Sequence, residues 1–225
     1  MRTTSDPVQP KPVKAVRGRR PLGETPGREA LLGEALVQFS KYGYEATSLR
    51  DLAQAARVDV ALVARLFGSK ANLWESVVEQ LALGQQAHLG ALEAAQQRMA
   101  SRPADAMRQL VRVFVQLSYD MPALGNFLMH EMSNPGPRMN MLMDRLVMPF
   151  RQACWPIMSA AMEAGVIRST RPDLLFALLI SAISMTLAAP DMIHPGQGLT
   201  PALRDDIERE VILLIFRAPD TNTLA

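Results

Sequence analysis

Residues 47–73 read TSLRDLAQAARVDVALVARLFGSKANL. Leu49, Leu52, Ala53 and Ala56 recur at helical spacing behind Thr47 and Ser48, either of which can cap a helix. Asp51, third after Ser48, makes an acidic version of the capping box. Asp59 caps a second helix carrying Leu62, Val63, Leu66 and Phe67, and Gly68 ends it. Ser69 caps a third helix that opens with Lys70. Helices of about two turns do not hold in water by themselves, so this pair must pack on a neighbour. An amphipathic segment lies just upstream. The plan is that of a helix-turn-helix, whose second helix enters the DNA major groove.

The upstream segment starts at Thr25-Pro26, a capping residue followed by proline at the first helical position. Leu31, Leu32, Ala35, Leu36 and Phe39 form its apolar stripe, and Gly43 ends it. Tyr42 and Tyr44 flank that glycine; either can pack in the core or reach a phosphate, with core packing the better role for Tyr44. The helix from Ser69 carries Leu73, Val77, Leu81 and Leu92, with Trp74 one position off the stripe. It can reach Ala100, although Gly84 and Gly90 weaken it. Pro103 and Pro122 open two more helices, and residues 133–137 form a loop. Residues 138–163 are helical again, with kinks or a break expected at Pro149 and Pro156. Leu174–Ala189 reads as a buried helix, and Thr200-Pro201 opens the last one, striped by Leu203, Ile207, Val211, Leu214 and Ile215. Ala, Leu and Met dominate, few alternating β-branched runs appear, and the chain reads as all-α.

Charge is uneven. The 225-residue chain has a net charge of +2, yet Arg2, Lys11, Lys14, Arg17, Arg19 and Arg20 stand against Asp6 alone in residues 1–20, a local +5. Prolines 7, 10, 12 and 21 prevent helix there, so residues 1–24 read as a flexible basic arm. Either it is a solvated tail or, beside a helix-turn-helix, a phosphate-seeking arm whose Arg17, Arg19 and Arg20 can lie in the minor groove. The single cysteine, Cys154, excludes an internal disulfide and fits a reducing cytoplasm. No signal peptide is visible, and the 16 apolar residues 174–189 fall short of the roughly 20 that a bilayer span needs. The expectation is a cytoplasmic protein without a membrane span.

Enzyme chemistry finds no support. His88, His130 and His194 lack metal-ligand spacing, and there is no nucleophile elbow or phosphate-binding glycine loop. No catalytic residue, metal or cofactor is expected. Cys154 beside Trp155 can be read as a redox sensor, but a lone cysteine in an apolar helix is more often inert core.

Residues 28–77, from the helix ending in Phe39 through Tyr42-Gly43-Tyr44, Thr47-Ser48-Leu49, Leu52-Ala53, Val58 and Phe67-Gly68-Ser69-Lys70 to Leu73, resemble the TetR family of bacterial transcription regulators. The resemblance implies a three-helix DNA-binding domain over 25–72 and a helical effector-binding and dimerisation domain over 73–217, with 218–225 as a tail. It implies a homodimer that sets two recognition helices on a palindromic operator of double-stranded DNA, and a repressor released by a small apolar effector. Control by a protein partner instead of a small molecule is the alternative. Two positions depart from the family. Arg57 stands where it usually has the turn glycine, which would strain the residue by about 1 kcal/mol or more. Ala64 replaces a usual aromatic that touches phosphate.

Candidate contacts to DNA divide into two groups. Arg50, Val60, Ala61 and Arg65 are candidates for reading bases: arginine pairs with guanine, and small apolar groups meet thymine methyls. Thr47, Ser48 and Lys70 are candidates for positioning on phosphate, with Arg57 also within reach of one. The methionine-rich stretch downstream offers ordinary core or an adaptable pocket. Phe114, Phe127, Met143, Phe150 and Trp155 are its candidate walls, with His130 and Glu131 as polar groups. Ala177, Ser181, Ser184, Ile207, Val211 and Leu214 on the last two helices are the candidate dimer interface, as a four-helix bundle.

Overall fold

Side-chain caps and prolines set most helix starts. Ser48 Oγ accepts the Asp51 N–H at 3.1 Å, Asp59 the Ala61 N–H at 2.8 Å, and Ser69 the Asn72 N–H at 3.1 Å. The computed structural model describes residues 26–217; the arm, Thr25 and the 218–225 tail lie outside the described residues. The helices run α1 (Pro26–Ala46), α2 (Leu49–Ala55), α3 (Val60–Phe67), α4 (Lys70–Gln96), α5 (Pro103–Asp120), α6 (Pro122–Met132), α7 (Pro137–Leu142), α8 (Met148–Glu163), α9 (Pro172–Ala188) and α10 (Pro201–Ile215). No helix among them is long and apolar enough to cross a membrane. The β-structure found among the described residues is one antiparallel bridge, Ile167 to Phe216, which ties the end of the last helix, α10, to the α8–α9 loop.

Two apolar clusters form the core. The first gathers Leu31, Phe39, Leu52, Val63, Leu73 and Trp74 of α1–α4 and also takes in Phe127 of α6. The second is built from α5, α8, α9 and α10 around Phe114, Phe150, Ile157 and Ile183. Helix α4 contributes to both: Val77 and Leu81 go to the first, Leu92 and Ala95 to the second. The expected boundary at 72/73 therefore falls inside one continuous helix, and α1 also packs along α6.

Several expectations change. Gly43 interrupts α1 with φ 77° and ψ 171°, but the helix resumes to Ala46. Helix α4 stops at Gln96, short of Ala100. Pro149 has no N–H to donate, and just ahead of it the helix widens into a π-turn, Met143–Val147, with the Met148 N–H on the Met143 carbonyl. Pro156 lies inside α8 without ending it. The apolar run of α9 is buried on one side only: Leu175, Phe176, Leu179, Ile183 and Leu187 face inward, whereas Leu174 and Leu178 are 51% and 66% exposed.

Candidate nucleic-acid interface

The turn between α2 and α3 is closed by backbone geometry. The Arg57 N–H reaches the Gln54 carbonyl at 3.1 Å and the Val58 N–H the Ala53 carbonyl at 2.9 Å, the paired bonds of a Schellman motif. That motif requires a left-handed residue, and Arg57 supplies it at φ 55°. It is the one non-glycine residue with positive φ among those described. The turn is thus built as a glycine would build it, and the strain is tolerated. Fixed in this way, α3 buries Val63 and Phe67 and presents Val60, Ala61, Ala64 and Arg65 to solvent. Arg50 stands exposed on α2, and Arg57 is exposed at the turn. All four base-reading candidates therefore sit on open surface, within two short helices packed on each other.

The three phosphate-positioning candidates turn out differently, and their assignment is corrected. Thr47 is 3% exposed, and its hydroxyl donates to the Gly43 carbonyl at 2.8 Å. It closes the α1 break and has no hydroxyl left for a phosphate. The Ser48 hydroxyl is engaged in its own cap, donating to Asp51 Oδ2 at 2.6 Å while accepting the Asp51 N–H. Lys70 points back into the protein. Its ammonium donates to the carbonyls of Tyr44 at 2.9 Å and Thr47 at 3.0 Å, and lies 4.3 Å from the Tyr44 ring centroid. It neutralises the carbonyl end of α1, where a cation is favoured.

Sequence reasoning missed Arg138. Its Nε donates to Glu131 Oε2 at 3.0 Å and its terminal nitrogen to Glu45 Oε1 at 3.2 Å, while the guanidinium lies 3.9 Å from the Tyr44 ring centroid. Partial burial opposes its charge, but the hydrogen bonds and charges of Glu131 and Glu45 prevail and raise its pKa above the ordinary arginine value. Nothing in a linear reading pairs Arg138 with Glu45, 93 residues away.

The candidate pocket also changes. A cavity of about 30 Å³ lies among α4, α5, α6, α8 and α9. Phe114 and Phe150 line it as expected, together with Gln85, Ser118, Met121 and Leu128. Phe127 does not; it stacks on Trp74 with centroids 5.7 Å apart. Glu131 is buried on Arg138, and His130 is exposed beside Gly43. Met143 lies outside the lining, and half-buried Trp155 carries the Arg151 guanidinium 4.7 Å above its ring. Of the candidate dimer residues, Ala177, Ser181 and Leu214 face solvent. Ile207 and Val211 are buried within the chain itself at 8% and 9% exposure, and Ser184 turns inward to the Ser118 hydroxyl at 3.1 Å. Cys154 is fully buried, and burial pushes its thiol pKa far up. Among the described residues no group of three or more His, Cys, Asp or Glu side chains is placed to hold a metal ion.

Residues 31–77 match the family of bacterial regulatory proteins, tetR family. Over 129 residues the chain is 29% identical to the HTH-type transcriptional regulator RutR of Escherichia coli K12, and the alignment covers 57% of each protein. The fold is shared with solved structures. HlyIIR, a hemolysin II transcriptional regulator, superposes with a TM-score of 0.65 at 20% identity over 85% of this chain and 98% of its own. The TetR-family regulator PfmR from Thermus thermophilus does so at 0.61 and 23% identity, over 84% and 97%.

Proposed function

We propose, from the premise that this chain carries the DNA-binding domain of the TetR family, that it is a sequence-specific transcriptional regulator. It binds a palindromic duplex as a homodimer, one α3 per half-site, and acts as a repressor released by a small apolar effector. The observation that supports this best is the exposure of Arg50, Val60, Ala61 and Arg65 on helices locked by the Arg57 turn. Arg50 and Arg65 offer guanidinium forks to guanine edges, and Val60 and Ala61 meet thymine methyls. Arg57 is the remaining phosphate candidate of the turn, and Arg17, Arg19 and Arg20 add affinity from the arm.

Dimerisation is assigned to the outward faces of α9 and α10. Leu178, Leu213 and Leu214 are 66%, 63% and 70% exposed, and each side chain contributes about 1.5–3 kcal/mol when removed from water. Ala177 and Ser181 lie on the same open side of α9 as Leu174 and Leu178 and permit close helix approach.

The effector enters the cavity bounded by Phe114 and Phe150. At about 30 Å³ that cavity is far smaller than the roughly 300–1,000 Å³ of small-molecule pockets, so an effector must spread its walls. The same tight packing favours a second reading, in which a protein partner controls the DNA-binding domain. A thermal-shift screen of small apolar compounds separates the two. Stabilisation lost in Phe150→Ala supports the effector; no stabilising compound supports the partner.

Selecting duplexes from a random pool with the purified protein tests the main reading. Wild type should enrich a palindrome, and Arg50→Ala should lose about 1–3 kcal/mol on it and relax one base pair per half-site. Failure to enrich any sequence refutes the function. Equal loss on every sequence makes Arg50 a phosphate contact.

A further inference from the structure

Helix α6 has two working sides. Leu124, Gly125 and Leu128 border the cavity, while Phe127, His130 and Glu131 meet the first four helices or the residues tied to them. Within the long apolar packing of α1 and Trp74 on α6, one polar cluster crosses the seam. Gly43 is the point where α1 breaks, and a Cβ there would come within 3.2 Å of His130 Nδ1. Immediately after it, Tyr44 is held by two cations, Arg138 at 3.9 Å and Lys70 at 4.3 Å from its ring centroid. The Lys70 ammonium continues to the carbonyl of Thr47, the residue before the Ser48 cap of α2. On the other side, Arg138 rests on Glu131, whose side chain is only 4% exposed. A carboxylate buried this deeply needs its counter-ion, so the guanidinium is fixed on α6. From there its second arm reaches Glu45 at 3.2 Å. Arg138 stands on α7, half-buried, and its guanidinium is already engaged by Glu131, Glu45 and the Tyr44 ring.

We infer that Arg138 is a positioning residue for DNA reading: clamped on buried Glu131, it holds Tyr44 and Glu45 and so fixes the orientation of the helix-turn-helix relative to α6. This rests on the proposed function for its DNA arm, but its structural arm stands alone. Without the clamp, α2 and α3 keep their own caps and turn, because those bonds are local. What is lost is the angle at which they are presented. Specific binding needs that angle, since both half-sites must be met together; non-specific phosphate attraction does not.

The test uses full-length protein with Cys154→Ala and spin labels on cysteines placed at Ala64 and Gln152, both exposed. Labelled chains are diluted with unlabelled protein so that within-chain distances dominate. Pulsed electron resonance should give one narrow distance distribution with Arg138 present and a broad one in Arg138→Gln. Glu45→Gln, which leaves the buried pair intact, should broaden it less. In parallel, the duplex selected by wild type and a random-sequence duplex are titrated with wild type and each variant. Arg138→Gln should weaken the selected duplex about 10-fold, within the usual range for coupled sites. Random duplex affinity and the salt slope should not move. Glu131→Gln combined with Arg138→Gln should lose no more than Arg138→Gln alone. An unchanged distance distribution overturns the inference even if DNA binding falls. Equal loss on both duplexes with a shallower salt slope overturns it too, by making Arg138 a phosphate contact. If wild type selects no duplex, the functional reading fails and the distance measurement still decides the clamp.

Discussion

Replacing Arg57 by glycine should make the protein more stable. A non-glycine residue in the left-handed region bears roughly 1–2 kcal/mol, and Arg57 holds φ 55°. Its side chain is exposed, and no hydrogen bond or salt bridge to it is formed among the described residues. Glycine removes the strain but loses about 0.5–1 kcal/mol more backbone freedom on folding. The net gain lies between about 0 and 1.5 kcal/mol, with a middle value of about 0.75 kcal/mol that corresponds to a rise in Tm of roughly 2–3 °C for a chain of this size. The Schellman bonds from Arg57 and Val58 use only backbone atoms and persist in the variant. Arg57→Ala is the control: it removes the same charge, keeps the strain, and should not raise Tm. Paired calorimetric scans and urea titrations measure the difference. If Arg57→Gly melts at or below Arg57→Ala, the strain argument is wrong. The same two proteins also test the phosphate contact, because loss of one such contact per half-site lowers the salt slope of dimer binding by about 1.8 in both.

Deleting residues 1–20 should weaken DNA binding and flatten its salt dependence while leaving sequence preference unchanged; an unchanged slope makes the arm a bystander. Leu178→Glu places a charge on a 66%-exposed face and should yield a folded monomer by sedimentation, with tight binding to the selected duplex lost. Ile207→Glu buries a charge in the subunit's own core and should instead unfold the protein, as circular dichroism will show. A folded Ile207→Glu monomer would return Ile207 to the interface. The Cys154 thiol, its pKa raised by burial, should resist maleimide at about pH 7–8 until denaturant is added, because the reactive thiolate is scarce. Rapid labelling of the native protein would show that α8 opens.

The helix-turn-helix was legible because its information is local. Caps at Ser48, Asp59 and Ser69, the Gly68 stop and apolar spacing act over four residues or fewer, so each can be read from neighbours alone. The exposed placement of Arg50 and Arg65 follows from the same spacing. What tertiary structure decided was the partner of each polar group and the side of each apolar helix that its own subunit covers. The sequence shows Lys70 at a helix start; only the folded chain brings the carbonyls of Tyr44 and Thr47, 26 and 23 residues back, to its ammonium. Helices α9 and α10 are apolar enough on more than one side that periodicity cannot choose between core and partner. Packing on α5 chose Ile207 and Val211 for the core and left Leu178 and Leu214 outside. Arg138 is the extreme case. Its position is set by a buried carboxylate seven residues back across a turn and by an acid 93 residues away. Contacts at such separation leave no periodic trace, since their energy depends on where helices cross and not on what lies beside them in the chain.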